Sequence, residues 1–184
     1  DGLYAAFDQV IQRVGDARLK LYLYHIPPMS GVPISHALIG RLIRRYPDTV
    51  VGMKDSSGDW NNMKTTCEMY PGFRVYAGTE KFLLPILAAG GVGCISATTN
   101  ITCRLAAEVY AKRATGEGQG LQQTLTRVRD ALEKYPVIAA LKRLTAERTG
   151  HEGWRLPRPP HLPLDDARFE ALQADLQKLG FVAP

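Results

Sequence analysis

The stretch TVVGMKDSSGD, residues 49–59, decides the fold. Its first six residues are a mostly apolar run ending on Lys54, and the next five hold three candidate helix caps, Ser56, Ser57 and Asp59. An apolar run of that length, closed by cap residues, predicts a strand that passes into a helix. The pattern repeats outward in both directions. Upstream, LKLYLY (19–24) reads as a strand closed by the turn chemistry of Pro27, Pro28 and Gly31. Ser35 then caps a helix to about residue 46, which Pro47 and Asp48 break. Downstream, a helix runs to about residue 70 and stops at Pro71-Gly72, and FRVYA (73–77) is a third strand. A helix over about 80–89, a fourth strand at 93–97 and a helix at 103–114 follow. Before the first strand, apolar residues at 3, 6, 7, 10, 11 and 14 predict a helix that Gly15 ends.

Strands that alternate with helices call for parallel strands joined by right-handed crossovers, so the class is α/β. Beyond Gly116 no strand is expected. Residues 118–134, 137–149 and 165–179 carry helical patterns, and the proline-rich RLPRPPHLPL (155–164) connects them into a helical appendage.

The composition is that of an ordinary globular chain: 184 residues, 45% hydrophobic, 22% charged, 17 Gly and 12 Pro. This excludes disordered, collagen-like and low-complexity classes. No apolar run reaches the length of a membrane span, and DGLYAAFDQV has neither the basic nor the apolar region of a signal peptide. The net charge of +5 is not organised. Its densest cluster, Arg41, Arg44 and Arg45, interleaves with apolar residues on one amphipathic helix, which reads as a solvated face rather than a nucleic-acid footprint. Cys67, Cys94 and Cys103 are odd in number and lack C-x-x-C spacing, against both a disulfide framework and a zinc site. They fit a reducing, cytoplasmic setting.

Ligand sites in parallel α/β folds form at the carboxyl ends of the strands. Those ends are Tyr24, Lys54, Gly78 and Ile95-Ser96. Tyr24 and Lys54 close successive strands one βαβ unit apart, so both side chains can project toward one mouth. A lysine partly desolvated at a strand end has its ammonium form disfavoured, and a neutral amine attacks a ketone to give an imine. Tyr24 can relay protons to the carbinolamine and the substrate oxygen. Position alone leaves a structural role open as well, with Lys54 paired to Asp55 or solvent and Tyr24 packed. The glycine-rich AAGGVG (88–93) follows a helix and precedes a strand, the reverse of a phosphate loop, and reads as a tight turn. His25, His36, His151 and His161 show no ligand spacing, so neither metal nor cofactor is expected. Met29, Met53, Met63 and Met69 read as packing residues.

At these residues the chain resembles the dihydrodipicolinate synthase / N-acetylneuraminate lyase family of Schiff-base aldolases. YHIPPMSG (24–31) resembles the motif Y-N-x-P-x-x-[ST]-G, and VGMKDSSGD (51–59) resembles G-x-K-[DE]-x-[ST]-G. YAGTE (76–80) and GGVGCISATTN (90–100) resemble the stretches that end strands seven and eight. The resemblance implies a TIM barrel with a C-terminal helical extension and an imine between Lys54 and the keto group of pyruvate or a related 2-oxo acid. Tyr24 would shuttle the proton, Gly78 and Ile95 would line the pocket through their backbones, and Ser56 would lie near the aldehyde partner. Met29, Ser30 and Gly31 would complete the substrate pocket. A homo-oligomer, tetramer or dimer, is implied as well.

Three departures bear on the substrate. Where the synthase branch has an arginine that grips a carboxylate, this chain has Met29, and methionine makes no such bidentate contact. The sialic-acid branch has Asp-Glu where this chain has Glu80-Lys81, and serine in place of Ala97. A sugar-derived or hydrophobic aldehyde is therefore expected. The alternatives are 4-hydroxy-tetrahydrodipicolinate synthase proper, acting on aspartate semialdehyde, and a non-catalytic barrel that binds a 2-oxo acid. A (β/α)₈ barrel takes about 250 residues, and only four βα units are counted here. The expectation is strands five to eight of a barrel over residues 1–115, the helical extension over 116–184, and about 110 further residues before Asp1 to supply the missing units.

Overall fold

All four expected strands form, and they run parallel in the order β1-β2-β3-β4. In the computed structural model, which describes residues 1–182, these are Leu21–His25, Val50–Asp55, Arg74–Ala77 and Gly93–Cys94. The helices are α1 (Gly2–Val14), α2 (Pro27–Ser30), α3 (His36–Arg45), α4 (Trp60–Met69), α5 (Leu83–Ala88), α6 (Thr99–Ala111), α7 (Gly116–Glu133), α8 (Val137–Thr149) and α9 (Asp166–Lys178). Short 3₁₀ turns lie at Glu80–Phe82 and Glu152–Arg155.

The local chemistry accounts for these boundaries. Ser35 Oγ accepts from Leu38 N at the start of α3, and Gly15 ends α1 in the left-handed region at φ 61°. Of the three candidate caps after β2, Asp59 caps α4, accepting from the N–H groups of Asn61 and Asn62. Gly91 N–H donates to the Ile86 carbonyl at 2.8 Å, making the glycine-rich stretch the tight turn expected between α5 and β4.

The turn chemistry of Pro27, Pro28 and Gly31 takes the form of a helical turn, α2, because proline pre-sets the helical φ and Gly31 closes it at φ 66°. Two boundaries need correction. The fourth strand stops at Cys94 instead of reaching residue 97, and α6 starts at Thr99 instead of 103. Both follow from the hydroxyls of Ser96 and Thr98, which donate to the buried Glu80 carboxylate and draw the chain out of an extended ladder. Thr99 Oγ1 then bonds the Ser96 carbonyl at the start of the helix.

The chain gathers into two compact units, residues 1–78 with 85–94 and residues 79–84 with 95–184. In the first, alternation along the strands sends Leu23, Met53 and Val75 to one face, where all three are buried. Helix α3 packs on β2 and α4 on β3, with Ile39, Leu42 and Met63 fully buried. Each such side chain contributes about 1.5–3 kcal/mol by leaving water. The opposite face carries Tyr22, Tyr24, Lys54 and Tyr76, all partly or half exposed. In the second unit, α6 to α9 share one apolar core that includes Ile101, Val128, Leu132, Leu144, Phe169 and Leu172. Among the described residues, no helix is long and apolar enough to cross a membrane.

Candidate active site

The parallel register sets Tyr24 beside Lys54 and His25 beside Asp55. Because successive side chains alternate, Tyr24 and Lys54 share the open face while His25 and Asp55 point beneath the sheet. Lys54 Nζ donates to Tyr24 Oη at 3.1 Å and lies 4.4 Å from the ring centroid. That hydrogen bond is the main cause holding the Tyr24 phenol below its ordinary pKa. Burial opposes it, while the Ser56 hydroxyl and the Lys54 charge add to it. An amine and a phenol in direct contact, the phenol biased toward its basic form, are equipped to pass a proton between a nitrogen nucleophile and a substrate oxygen.

Pairing of Lys54 with Asp55 does not occur. The fully buried Asp55 carboxylate accepts from Ser57 N–H (2.8 Å), Ser57 Oγ (2.6 Å) and Asn62 Nδ2 (2.6 Å). The DSSG turn thus uses its acid to fasten the start of α4, leaving the lysine to Tyr24.

Ser56 and Gly78 stand at the same strand ends. Ser56 N–H donates to the His25 carbonyl (2.8 Å) and Gly78 N–H to the Asp55 carbonyl (2.6 Å). A Cβ on Gly78 would come within 2.6 Å of Ser56 Cα and 2.7 Å of the Asp55 carbonyl oxygen, so only glycine permits this approach. Met29, Ser30 and Gly31 form a separate small turn after β1. Ser30 Oγ is engaged by the Ile26 carbonyl at 3.0 Å, and Met29 projects into solvent, 81% exposed. Ile95 follows β4 in the second unit, where it is half exposed.

Two features escaped the sequence. Tyr76, on β3, is the register partner of Lys54 on β2 and flanks it on the side away from Tyr24. Its ring meets Tyr22 edge-on at 5.8 Å, and Tyr22 Oη accepts from Arg74 Nη1 at 3.0 Å. The period of two counted back from Gly78 is the signal that would have found Tyr76. In the second unit, Glu80 is fully buried and bonded to Ser96, Thr98 and Arg129 Nη1, the last at 3.3 Å. Lys81 is held between Asp130 (2.5 Å) and Glu133 (2.6 Å). Among the described residues no cluster of three or more His, Cys, Asp or Glu is placed to hold a metal, and the three cysteines form no disulfide.

The chain is similar to an uncharacterized DapA-like lyase of Chloroflexus aurantiacus, 32% identical over 164 residues that cover 89% of this chain and 54% of the relative. It is 34% identical over 189 residues to a 4-hydroxy-tetrahydrodipicolinate synthase of Acidiphilium cryptum, covering 100% of this chain and 62% of the relative. Among solved structures, dihydrodipicolinate synthase of Agrobacterium tumefaciens superposes with a TM-score of 0.83 at 28% identity, over 97% of this chain and 60% of the other. The chain therefore spans a little over half the length of these relatives. The sequence model of the Dihydrodipicolinate synthetase family matches residues 1–179, nearly the whole chain. With the motifs at both strand ends and the parallel α/β fold, that match means that the chain belongs to the dihydrodipicolinate synthetase family.

Proposed function

We propose that this protein is a class I, Schiff-base-forming lyase or aldolase that joins or cleaves pyruvate, or a related 2-oxo acid, and an aldehyde through an imine on Lys54. The observation that carries the proposal is the Lys54 Nζ to Tyr24 Oη contact of 3.1 Å on adjacent strand ends. In the synthetic direction Lys54, having given up a proton, attacks the keto carbon. Tyr24 passes a proton to the carbinolamine oxygen, water leaves, and the protonated imine remains. That cation takes up the electron pair released when the neighbouring carbon gives a proton to the Tyr24 phenolate, which yields an enamine and restores the phenol. The enamine adds to the aldehyde carbon, Tyr24 supplies a proton to the new alkoxide, and water then returns Lys54 and releases product. Cleavage runs the same steps backwards.

Ser56, whose hydroxyl bears on Tyr24, would meet the aldehyde oxygen, while the backbone of Gly78 would line the pocket. The exposed Met29 favours an aldehyde without a carboxylate at that position, such as a sugar-derived or hydrophobic one. The second reading, a 4-hydroxy-tetrahydrodipicolinate synthase proper, has the name of the 34% identical relative in its favour. An aldehyde panel separates the two, and aspartate semialdehyde as the fastest partner would decide for the synthase.

The proposal extends to architecture. The four parallel strands are taken as strands five to eight of a (β/α)₈ barrel over residues 1–115, with 116–184 as a helical extension. The tyrosine-rich open face of the sheet, unusual where parallel sheets are apolar on both sides, suits a barrel interior that receives substrate. A cytoplasmic homo-oligomer, dimer or tetramer, without metal or cofactor, completes the reading. The test is borohydride reduction of the native protein with pyruvate, followed by peptide mass spectrometry. The expected result is a reduced pyruvyl adduct on the Lys54 peptide, absent in Lys54→Ala; no adduct on that peptide overturns the proposal.

A further inference from the structure

Strand β1 ends on two residues that face opposite ways. Tyr24 stands on the open face, and His25 turns beneath the sheet, 5% exposed. There His25 Nδ1 accepts from the backbone N–H of Ile34 at 3.0 Å, while the His25 carbonyl accepts from Ser56 N–H at 2.8 Å. A ring nitrogen that accepts carries no proton, which assigns the ring proton to Nε2. One residue is therefore bonded to the strand end that holds Ser56 and to the far end of the loop that begins at Ile26.

That loop, residues 26–34, contains Met29, Ser30 and Gly31. Its remaining bonds are local. The N–H groups of Met29 and Ser30 donate to the Ile26 carbonyl (3.0 and 2.9 Å), and Gly31 N–H donates to the Pro27 carbonyl (2.9 Å). These stiffen the turn without fixing where it stands. Met29 and Val32 are exposed, whereas Ile34 is buried at 6%. The His25 ring reaches over nine residues to the buried end of the loop, and the other end is covalently continuous with Tyr24.

We propose that His25 is a positioning residue, which sets where the Met29–Gly31 turn stands relative to Tyr24 and thereby which aldehyde the site accepts. This rests on the imine chemistry assigned to Lys54. Without the ring nitrogen, the Ile34 N–H is buried with no acceptor, and the loop gains by moving it to water. Leucine fills much of the same space but accepts no hydrogen bond. Asparagine offers Oδ1 to the same donor.

The native protein and its His25→Leu and His25→Asn variants would be compared in three measurements. Borohydride trapping with pyruvate reads the Lys54 imine. Steady-state kinetics read KM and kcat for the fastest aldehyde among glyceraldehyde, glycolaldehyde, benzaldehyde and aspartate semialdehyde. Amide hydrogen exchange reads the Ile34 N–H. In His25→Leu, trapping should persist, Ile34 exchange should speed up by about ten- to a hundred-fold, and the aldehyde KM should rise by about tenfold with kcat changed far less. His25→Asn should restore both. Unchanged aldehyde KM in His25→Leu, or an equal loss in KM and kcat that asparagine does not rescue, overturns the role of His25. Absence of the wild-type adduct strikes the imine chemistry, and with it the substrate side of this proposal; the exchange rates then still decide whether His25 anchors the loop.

Discussion

The pair Lys54 and Tyr24 is a single device, since the lysine sets the chemical state of the phenol. The phenol is held low chiefly by the hydrogen bond from Lys54, so at any given pH more of Tyr24 is phenolate than in a free tyrosine, whose pKa is about 10. Lys54→Met removes that donor and that charge, and the Tyr24 titration should move up. The check is near-ultraviolet absorbance against pH, with Tyr24→Phe subtracted to isolate the one phenol; a titration at the same pH in Lys54→Met would refute the coupling. Tyr24→Phe keeps the nucleophile and loses the proton carrier. It should still form the borohydride-trapped adduct with pyruvate, while kcat falls by about 10²- to 10⁴-fold, the range of general acid–base assistance. Rapid-quench trapping and steady-state turnover measure the two quantities separately.

Between residue and fold stand the ends of β2 and β3, where backbones approach closely. Gly78→Ala would drive a methyl against Ser56 Cα and the Asp55 carbonyl oxygen. Both are backbone or backbone-attached atoms that cannot swing aside. The expected cost is about 1–3 kcal/mol, read as a lower denaturation midpoint, together with slower imine formation because Lys54 is one residue from the displaced carbonyl. Asp55→Ala acts on the other face of the same strand. It strands Ser57 N–H and Asn62 Nδ2, the donors that its carboxylate now accepts from. A loss of about 1–3 kcal/mol is expected, measurable by urea denaturation, and Asp55→Asn should recover part of it.

At the scale of the molecule, the second unit is organised around an ionic centre as well as an apolar core. Glu80 is fully buried with Arg129 Nη1 3.3 Å away, and Arg129 also donates to Ser96 (2.9 Å) and Thr98 (2.8 Å). Glu80→Ala would remove one of the two carboxylates that hold Arg129, Glu133 remaining at 2.7 Å, and would leave the Ser96 and Thr98 hydroxyls without their acceptor, an expected cost of about 1–3 kcal/mol. Thermal unfolding should show a clear drop in midpoint, and a change within error would mean the pair is dispensable. Much of the architecture was open to inspection in the chain itself. Apolar runs closed by proline, glycine and cap residues, at βα spacing, give the strands, most of the helices and the α/β class, because those signals act over a few residues. Lys54 and Tyr24 were legible for the same reason, as polar residues that close apolar runs. Where β4 stops depended on Ser96 and Thr98 meeting Glu80, sixteen and eighteen residues away. That Lys54 bonds Tyr24 and not its neighbour Asp55, that Tyr76 flanks it, and that His25 holds Ile34 depend on strand register and on which face each side chain takes. Local pattern tells which residues can form a strand; only the packed sheet decides which of them touch.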